Sequence, residues 1–292
     1  MKPAPFRYAR PRTVADTVGA LAEAGGEAKI LAGGQSLVPM LNMRLARPAL
    51  VIDLNGVEGL GAITPSAAGG LRIGALARHA DLAASPLVRA RAPLLAQAAR
   101  HIGHTAIRNR GTLGGSLAHA DPAAELPAAV VALDASLIVV GRSGTRMIPA
   151  GDFFVGLLTT ALEADEILTE VHVPPPRGAW GFAEIARRPG DFALVGLAAV
   201  LVPAAAAPSR LEGARLVAFG VGDGPVRLTQ AERALAGAAP DAAAARAAAL
   251  AAGEGCTPAD DVHASAEYRR HLVTVLAEQV VLEAIARLAP PR

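Results

Sequence analysis

Two glycine pairs carry the strongest chemical signal in the sequence. Ala32-Gly33-Gly34-Gln35-Ser36-Leu37 and Thr112-Leu113-Gly114-Gly115-Ser116 each follow an extended segment. Paired glycines permit positive φ angles and lack the Cβ atoms that would block close approach. Successive N–H groups can then converge on one anion. Ser36, Thr112 and Ser116 add hydroxyl donors. A diphosphate suits such a set, because its oxygens take many donors and need no lysine. Neither segment reads Gly-x-Gly-x-x-Gly, and neither is a Gly-x-x-x-x-Gly-Lys-Ser/Thr loop. A lone Gly-Gly pair is usually only a turn. Two of them, each with a following hydroxyl, point to one diphosphate clamped from both sides.

The second segment runs into Asp121-Pro122-Ala123-Ala124-Glu125. Asp121 suits a helix cap with Pro122 at the first position. Asp121 or Glu125 could also accept from ribityl or ribose hydroxyls. His101, His104 and His119 flank the loop, but this spacing favours loop hydrogen bonds over a metal site. No metal and no catalytic residue is assigned. Arg108 and Arg110 are read as exposed loop arginines. The single cysteine, Cys256, can form no intrachain disulfide and cannot supply an iron–sulfur cluster. It is expected near the surface.

The elements that must position these residues follow from pattern. Thr13 caps a helix in which Val14, Val18 and Leu21 share a face. Short strands are expected at Ala28–Ala32, Leu50–Leu54 and Leu71–Gly74. Two helices broken at Pro86 and Pro93 fill Asp81–His101, and a helix covers Ala123–Leu133. A hairpin pairs Ser136–Val140 with Thr145–Ile148. Pro174-Pro175-Pro176 marks the domain boundary. Strands at Trp180–Ala186, Phe192–Val202 and Ala214–Gly220 then precede helices at about Thr229–Ala252 and Ala264–Leu288. Tyr268, Leu272, Leu276 and Val280 line one face of the last helix. The expected domains are 1–176, with sub-lobes of about 1–56 and 57–176, and 177–292.

The 292 residues carry a net charge of +2 and 3% aromatics, with a mean hydropathy of +0.36. There is no basic block and no aromatic-interleaved patch, which argues against nucleic-acid binding. The longest apolar run, Phe192 to Pro208, is broken by Gly196 and Pro203, so no transmembrane segment is expected. The N-terminus does not read as a signal peptide, and a cytoplasmic protein is expected.

In order along the chain, the sequence resembles the medium subunit of the carbon monoxide dehydrogenase and xanthine dehydrogenase family. The resemblance rests on Phe6-x-Tyr8-x-x-Pro11, Lys29 to Leu37 with Pro39, Arg44-Leu45-x-x-Pro48 and Ile52-Asp53-Leu54-Asn55. It continues in Thr112 to Ser116, Asp121 to Glu125, Arg187-Arg188-Pro189-Gly190-Asp191-Phe192-Ala193 and Glu267 to Leu272. It implies an α+β protein: a two-lobed FAD-binding domain of the p-cresol methylhydroxylase type, then a smaller α+β domain of the CO dehydrogenase flavoprotein type.

The resemblance also implies a molybdenum hydroxylase complex, with FAD as this chain's cofactor. A small subunit with [2Fe–2S] clusters and a large molybdopterin-binding subunit would complete a dimerised heterotrimer. Electrons would pass through the FAD to an external acceptor. The cofactor-binding residues implied are Ile30, Leu31, Ala32, Gly33, Gly34, Gln35, Ser36 and Leu37, then Ile102, Thr112, Gly114, Gly115, Ser116, Asp121 and Glu125, and finally Leu168, Asp191 and Phe192. Glu184 stands where relatives often have lysine, and Phe192 where some have tyrosine. A stand-alone FAD oxidoreductase, or a scaffold with a decayed FAD site, stays open as an alternative.

Overall fold

The computed structural model describes residues 2–288. Its first layer is a small parallel sheet. Strand β1 (Arg7–Ala9), helix α1 (Val14–Glu23), strand β2 (Ala28–Leu31), helix α2 (Leu37–Asn42) and strand β3 (Leu50–Asp53) follow in order, with β3 central between β1 and β2. Thr13 caps α1 by accepting from the Asp16 N–H at 3.0 Å. Val18 and Leu21 then face the sheet and pack with Leu50, Ile52 and Ile167.

A second sheet has the order β4–β5–β10–β6–β7. Strands β4 (Ile63–Pro65) and β5 (Leu71–Gly74) lead into helices α3 (His79–Ala84), α4 (Pro86–Arg91) and α5 (Pro93–His101). Pro86 and Pro93 open α4 and α5 instead of merely breaking a helix, because a first-turn proline gives up an N–H that has no partner anyway. Three helices therefore stand where two are expected. Helices α6 (Thr105–Arg108), α7 (Leu113–His119) and α8 (Glu125–Ala132) follow. The hairpin β6 (Ser136–Gly141) and β7 (Gly144–Pro149) turns through Arg142-Ser143.

A short helix α9 (Ala150–Phe153) and a small hairpin, β8 (Phe154–Gly156) with β9 (Thr159–Thr160), precede β10 (Ile167–Val173). Strand β10 is central, and the sequence reading missed it. A register shift between Leu168 and Glu170 interrupts its alternation, so the period-2 signal fails at its midpoint.

A third, antiparallel sheet holds β11 (Ala179–Ala186), β12 (Ala193–Ala204), β13 (Ala207–Phe219) and β14 (Val226–Arg227). Its two faces are both apolar. Phe182, Ala198, Val217 and Phe219 join the core formed by the second sheet and α3–α8. Ala183, Val195, Leu197 and Leu216 pack against α10 (Thr229–Leu235), α11 (Ala242–Glu254) and α12 (Ala266–Leu288). The single helix expected over Thr229–Ala252 is two, because Gly237 takes a left-handed φ of +73° and Asp241 caps a fresh start at Ala242, accepting from the Ala244 N–H. Cys256 is buried in this core, not near the surface.

Candidate functional site

Adjacent parallel strands β2 and β3 end side by side, with Leu31 opposite Asp53. The loop Ala32–Ser36 and the turn Asp53–Asn55 therefore leave the same sheet edge, where open parallel sheets place their ligand crevice. Gly34 has φ +75°, which turns the chain sharply into α2. Asn55 braces the loop, donating from Nδ2 to the Ala32 carbonyl at 2.8 Å. Asp53 in turn accepts from Tyr8 Oη at 2.6 Å and from the Asn55 N–H at 2.9 Å. Burial pushes the Asp53 carboxyl up, but these hydrogen bonds outweigh it and leave it below its ordinary range.

The second glycine segment closes on the first. A Cβ on Gly33 would lie 2.8 Å from Gly111 Cα, so Arg110-Gly111 rests directly on Gly33. Arg78 ties the two together: Nη2 donates to Asn55 Oδ1 at 2.6 Å, and Nη1 donates to the Arg110 carbonyl. His79 supports the same loop from below, hydrogen-bonding the Thr112 carbonyl at 2.9 Å. Burial pulls the His79 imidazole down to about 4, so the ring is neutral and Nε2–H is the donor.

The two segments do not offer donors equally. At the second, Leu113 N–H donates to Ala77, Gly114 N–H to Ala75, and Ser116 N–H to the Thr112 carbonyl. The Thr112 hydroxyl takes the Gly115 N–H at 3.0 Å as the cap of α7. These glycines start a helix; they are not a positive-φ turn. Gly114 is required because Ala75 Cβ lies 2.5 Å from where its own Cβ would be. By contrast, no acceptor among the described residues takes the N–H groups of Gly33, Gly34, Gln35, Ser36 or Leu37. That run is the anion-receptive one.

Beside the first segment, bordered across by Arg110, lies a hollow of about 400 Å³. Leu31 to Gln35 line it, together with Val38, Pro39, Asp53, Asn55 and Arg110. Ile30 lies behind the loop in β2, and Ser36 and Leu37 begin α2. Thr112, Gly114, Gly115 and Ser116, expected to hold the same diphosphate, are absent from that lining and instead cap and begin α7. Sequence reasoning left Arg110 out, and its signal was only its place just before the capped glycines. Arg108 turns inward instead, donating to the Ile102 and Gly103 carbonyls at 3.0 and 2.8 Å.

A second group of expected site residues gathers where the third sheet meets the helices. Ile102 ends α5, and the next residue's carbonyl packs against Gly190, two residues before the exposed Phe192. Asp191 lies in the same exposed turn. His101 Nδ1 lies 3.2 Å from Glu184 Oε1 on β11. Glu125 begins α8 and is buried. Burial first, and then the nearby Glu184 charge, push its carboxyl up to about 8. Asp121 does not cap α8; its Oδ1 accepts from the Ala123 N–H at 2.9 Å in a turn before that helix. Leu168 is buried in β10, which packs against α7.

A strand-end loop with unengaged donors, closed over by a second chain segment, defines a class of protein suited to hold an anionic group by its backbone N–H groups. Comparison with known proteins narrows that class. Residues 4–176 match the family described as "FAD binding domain in molybdopterin dehydrogenase", and residues 180–284 match "CO dehydrogenase flavoprotein C-terminal domain". The nicotine 6-hydroxylase medium subunit of Paenarthrobacter nicotinovorans is 42% identical, covering 98% of this chain and 100% of its own.

Among solved structures, quinoline 2-oxidoreductase from Pseudomonas putida 86 superimposes with a TM-score of 0.93 at 38% identity, covering 99% of both chains. Carbon monoxide dehydrogenase from Hydrogenophaga pseudoflava gives 0.94 at 37%, covering 99% of this chain and 100% of that one. The chain belongs to the FAD-binding subunits of the molybdenum hydroxylase family, an oxidoreductase family, and FAD is its cofactor. Among the described residues, no helix is long and apolar enough to cross a membrane.

Proposed function

We propose that this chain is the electron-transferring flavoprotein of a heterotrimeric, dimerised molybdenum hydroxylase. It would take electrons from [2Fe–2S] clusters on a small subunit, while a large subunit holds the molybdopterin and the substrate. An external acceptor would then receive them. Bound FAD supplies the redox chemistry, and the protein supplies position and electrostatics. The reading rests on family membership together with one observation: the N–H groups of Gly33 to Leu37 have no acceptor among the described residues, in a loop on which Arg110-Gly111 packs at Gly33. The lone cysteine agrees with clusters on another chain.

In this reading, residues 1–176 hold the cofactor and residues 177–292 close over its ring. Gly33, Gly34, Gln35 and Ser36 receive the diphosphate through backbone N–H groups. Ile30, Leu31, Ala32 and Leu37 shape that loop. Thr112, Gly114, Gly115 and Ser116 carry the Arg110 segment over it. Ile102, Asp121, Glu125, Leu168, Asp191 and Phe192 border the isoalloxazine and its ribityl chain. The test is expression with the neighbouring reading frames, followed by affinity purification on this chain alone. A yellow complex carrying a cluster-bearing small chain and a molybdenum-bearing large chain supports the proposal. Yellow protein without such partners indicates a stand-alone oxidoreductase. Colourless protein in an intact complex indicates a scaffold.

A further inference from the structure

A loop that receives an anion on its N–H groups must also keep its carbonyl oxygens occupied elsewhere, because their partial negative charge repels the same ligand. Here the carbonyls of both segments beside the hollow are engaged by the chain itself. On the first, the Ala32 carbonyl accepts from Asn55 Nδ2 at 2.8 Å, and the Gly33 carbonyl from Gln35 Nε2 at 3.2 Å. On the second, the consecutive residues Arg78 and His79 hold consecutive carbonyls. Arg78 Nη1 donates to Arg110, the His79 N–H to Gly111 at 3.0 Å, and His79 Nε2 to Thr112 at 2.9 Å.

The Arg110 carbonyl bears most directly on the site. Its oxygen lies against the position a Cβ on Gly33 would take, at the start of the receptive run. Without a donor, that oxygen would stand beside the N–H groups meant for the anion. Arg78 is half-buried and absent from the hollow's lining, whereas Asn55 and Arg110 line it. Both terminal nitrogens of its guanidinium are used. Nη1 takes the Arg110 carbonyl, and Nη2 donates to Asn55 Oδ1 at 2.6 Å. With its oxygen facing Arg78, the Asn55 amide turns its nitrogen to the Ala32 carbonyl and to Asp53 Oδ1. One cation therefore holds the second segment directly and the first through Asn55. A planar guanidinium fork can do this; lysine has a single nitrogen.

We propose that Arg78 is a positioning residue for the diphosphate. It draws off the Arg110 carbonyl and, through Asn55, the Ala32 carbonyl, so that the N–H groups of Gly33 to Leu37 meet the anion unopposed. This rests on the FAD-site reading above.

Arg78→Lys keeps the charge but not the fork, and Arg78→Gln removes both. In the full chain, flavin fluorescence quenching gives the FAD dissociation constant, and phosphorus NMR reads the diphosphate resonances of FAD that remains bound. Both variants should bind FAD at least about 10-fold more weakly, because charge-assisted hydrogen bonds are lost. Both should also move at least one resonance, which a variant that merely loosens the fold leaves in place. Asn55→Ala should weaken binding too. Combined with Arg78→Lys, it should cost less than the two single losses together, because one residue acts through the other. If Arg78→Gln does not fold, the lysine variant carries the test. Arg78→Lys that matches the wild type in affinity, or leaves both resonances in place, overturns the inference, and fully additive losses do the same. Wild-type protein that holds FAD with the phosphorus resonances of free FAD would instead remove the site reading itself.

Discussion

Gly33 is the position at which a single methyl group decides whether the site exists. Its missing Cβ is what lets Arg110-Gly111 close over the loop. Gly33→Val should push that segment away and lower FAD affinity by more than about 100-fold, the equivalent of losing one or two charge-assisted hydrogen bonds. Flavin absorbance after gel filtration reads this out. Circular dichroism should show the second core still folded, because that cluster contains no residue before Ala179. The glycine pairs were legible in the sequence because residue type alone announces close approach. Which pair keeps its donors free was not, because that depends on the distant carbonyls of Ala75 and Ala77.

His79 makes a second test at this scale. Its folded value is about 4, against an ordinary value near 6.5. The unfolded chain therefore binds the proton first, and stability is lost as pH falls from about 6.5 to about 4. The loss is on the order of 3 kcal/mol. Glu125 acts in the opposite sense, since its raised value costs stability as pH rises through its own window. The difference between wild type and His79→Gln isolates the histidine. Urea denaturation should show the wild type losing ground to the variant across that acid range, and parallel curves would contradict the account.

Among elements, the joint between the third sheet and α12 is held by one buried cation. Arg269 donates to the carbonyls of Leu194 and Gly220, the latter at 2.9 Å, and to Asp261 Oδ2 at 2.6 Å. That pairing holds the Asp261 carboxyl well below its ordinary range. Arg269→Met should cost about 3 kcal/mol, because the carbonyls and the carboxylate lose their shared donor. Guanidinium unfolding followed by far-UV circular dichroism measures it.

The face of α12 was largely readable: of Tyr268, Leu272, Leu276 and Val280, the last three are buried, while Tyr268 is exposed. Helix α1 was readable from its cap. Strand β10 was not, since its bulge hides the alternation, and neither was the split of α10 from α11, where a local glycine outweighs a run of alanine. The pair of His101 and Glu184 was invisible for a related reason, since the two are far apart along the chain and only the packing of β11 on α5 brings them together.

At the scale of the whole molecule, both α/β layers and the third sheet build continuous cores, yet apolar side chains remain outside them. Val155, Leu157 and Leu158 are 60%, 59% and 49% exposed around the β8–β9 hairpin. An isolated chain with such a patch exposes surface suited to a partner. Leu157→Asp should reduce recovery of partner chains in co-purification while leaving FAD content unchanged, because this residue is absent from the hollow's lining. Recovery equal to wild type would remove the hairpin from the interface.

The most direct measurement is the diffraction structure of the chain loaded with FAD. The diphosphate oxygens should lie within about 3.2 Å of the backbone nitrogens of Gly33 to Ser36, with Arg110 alongside them. A diphosphate bound only at α7, with the Gly33 to Ser36 nitrogens left to solvent, would contradict the account.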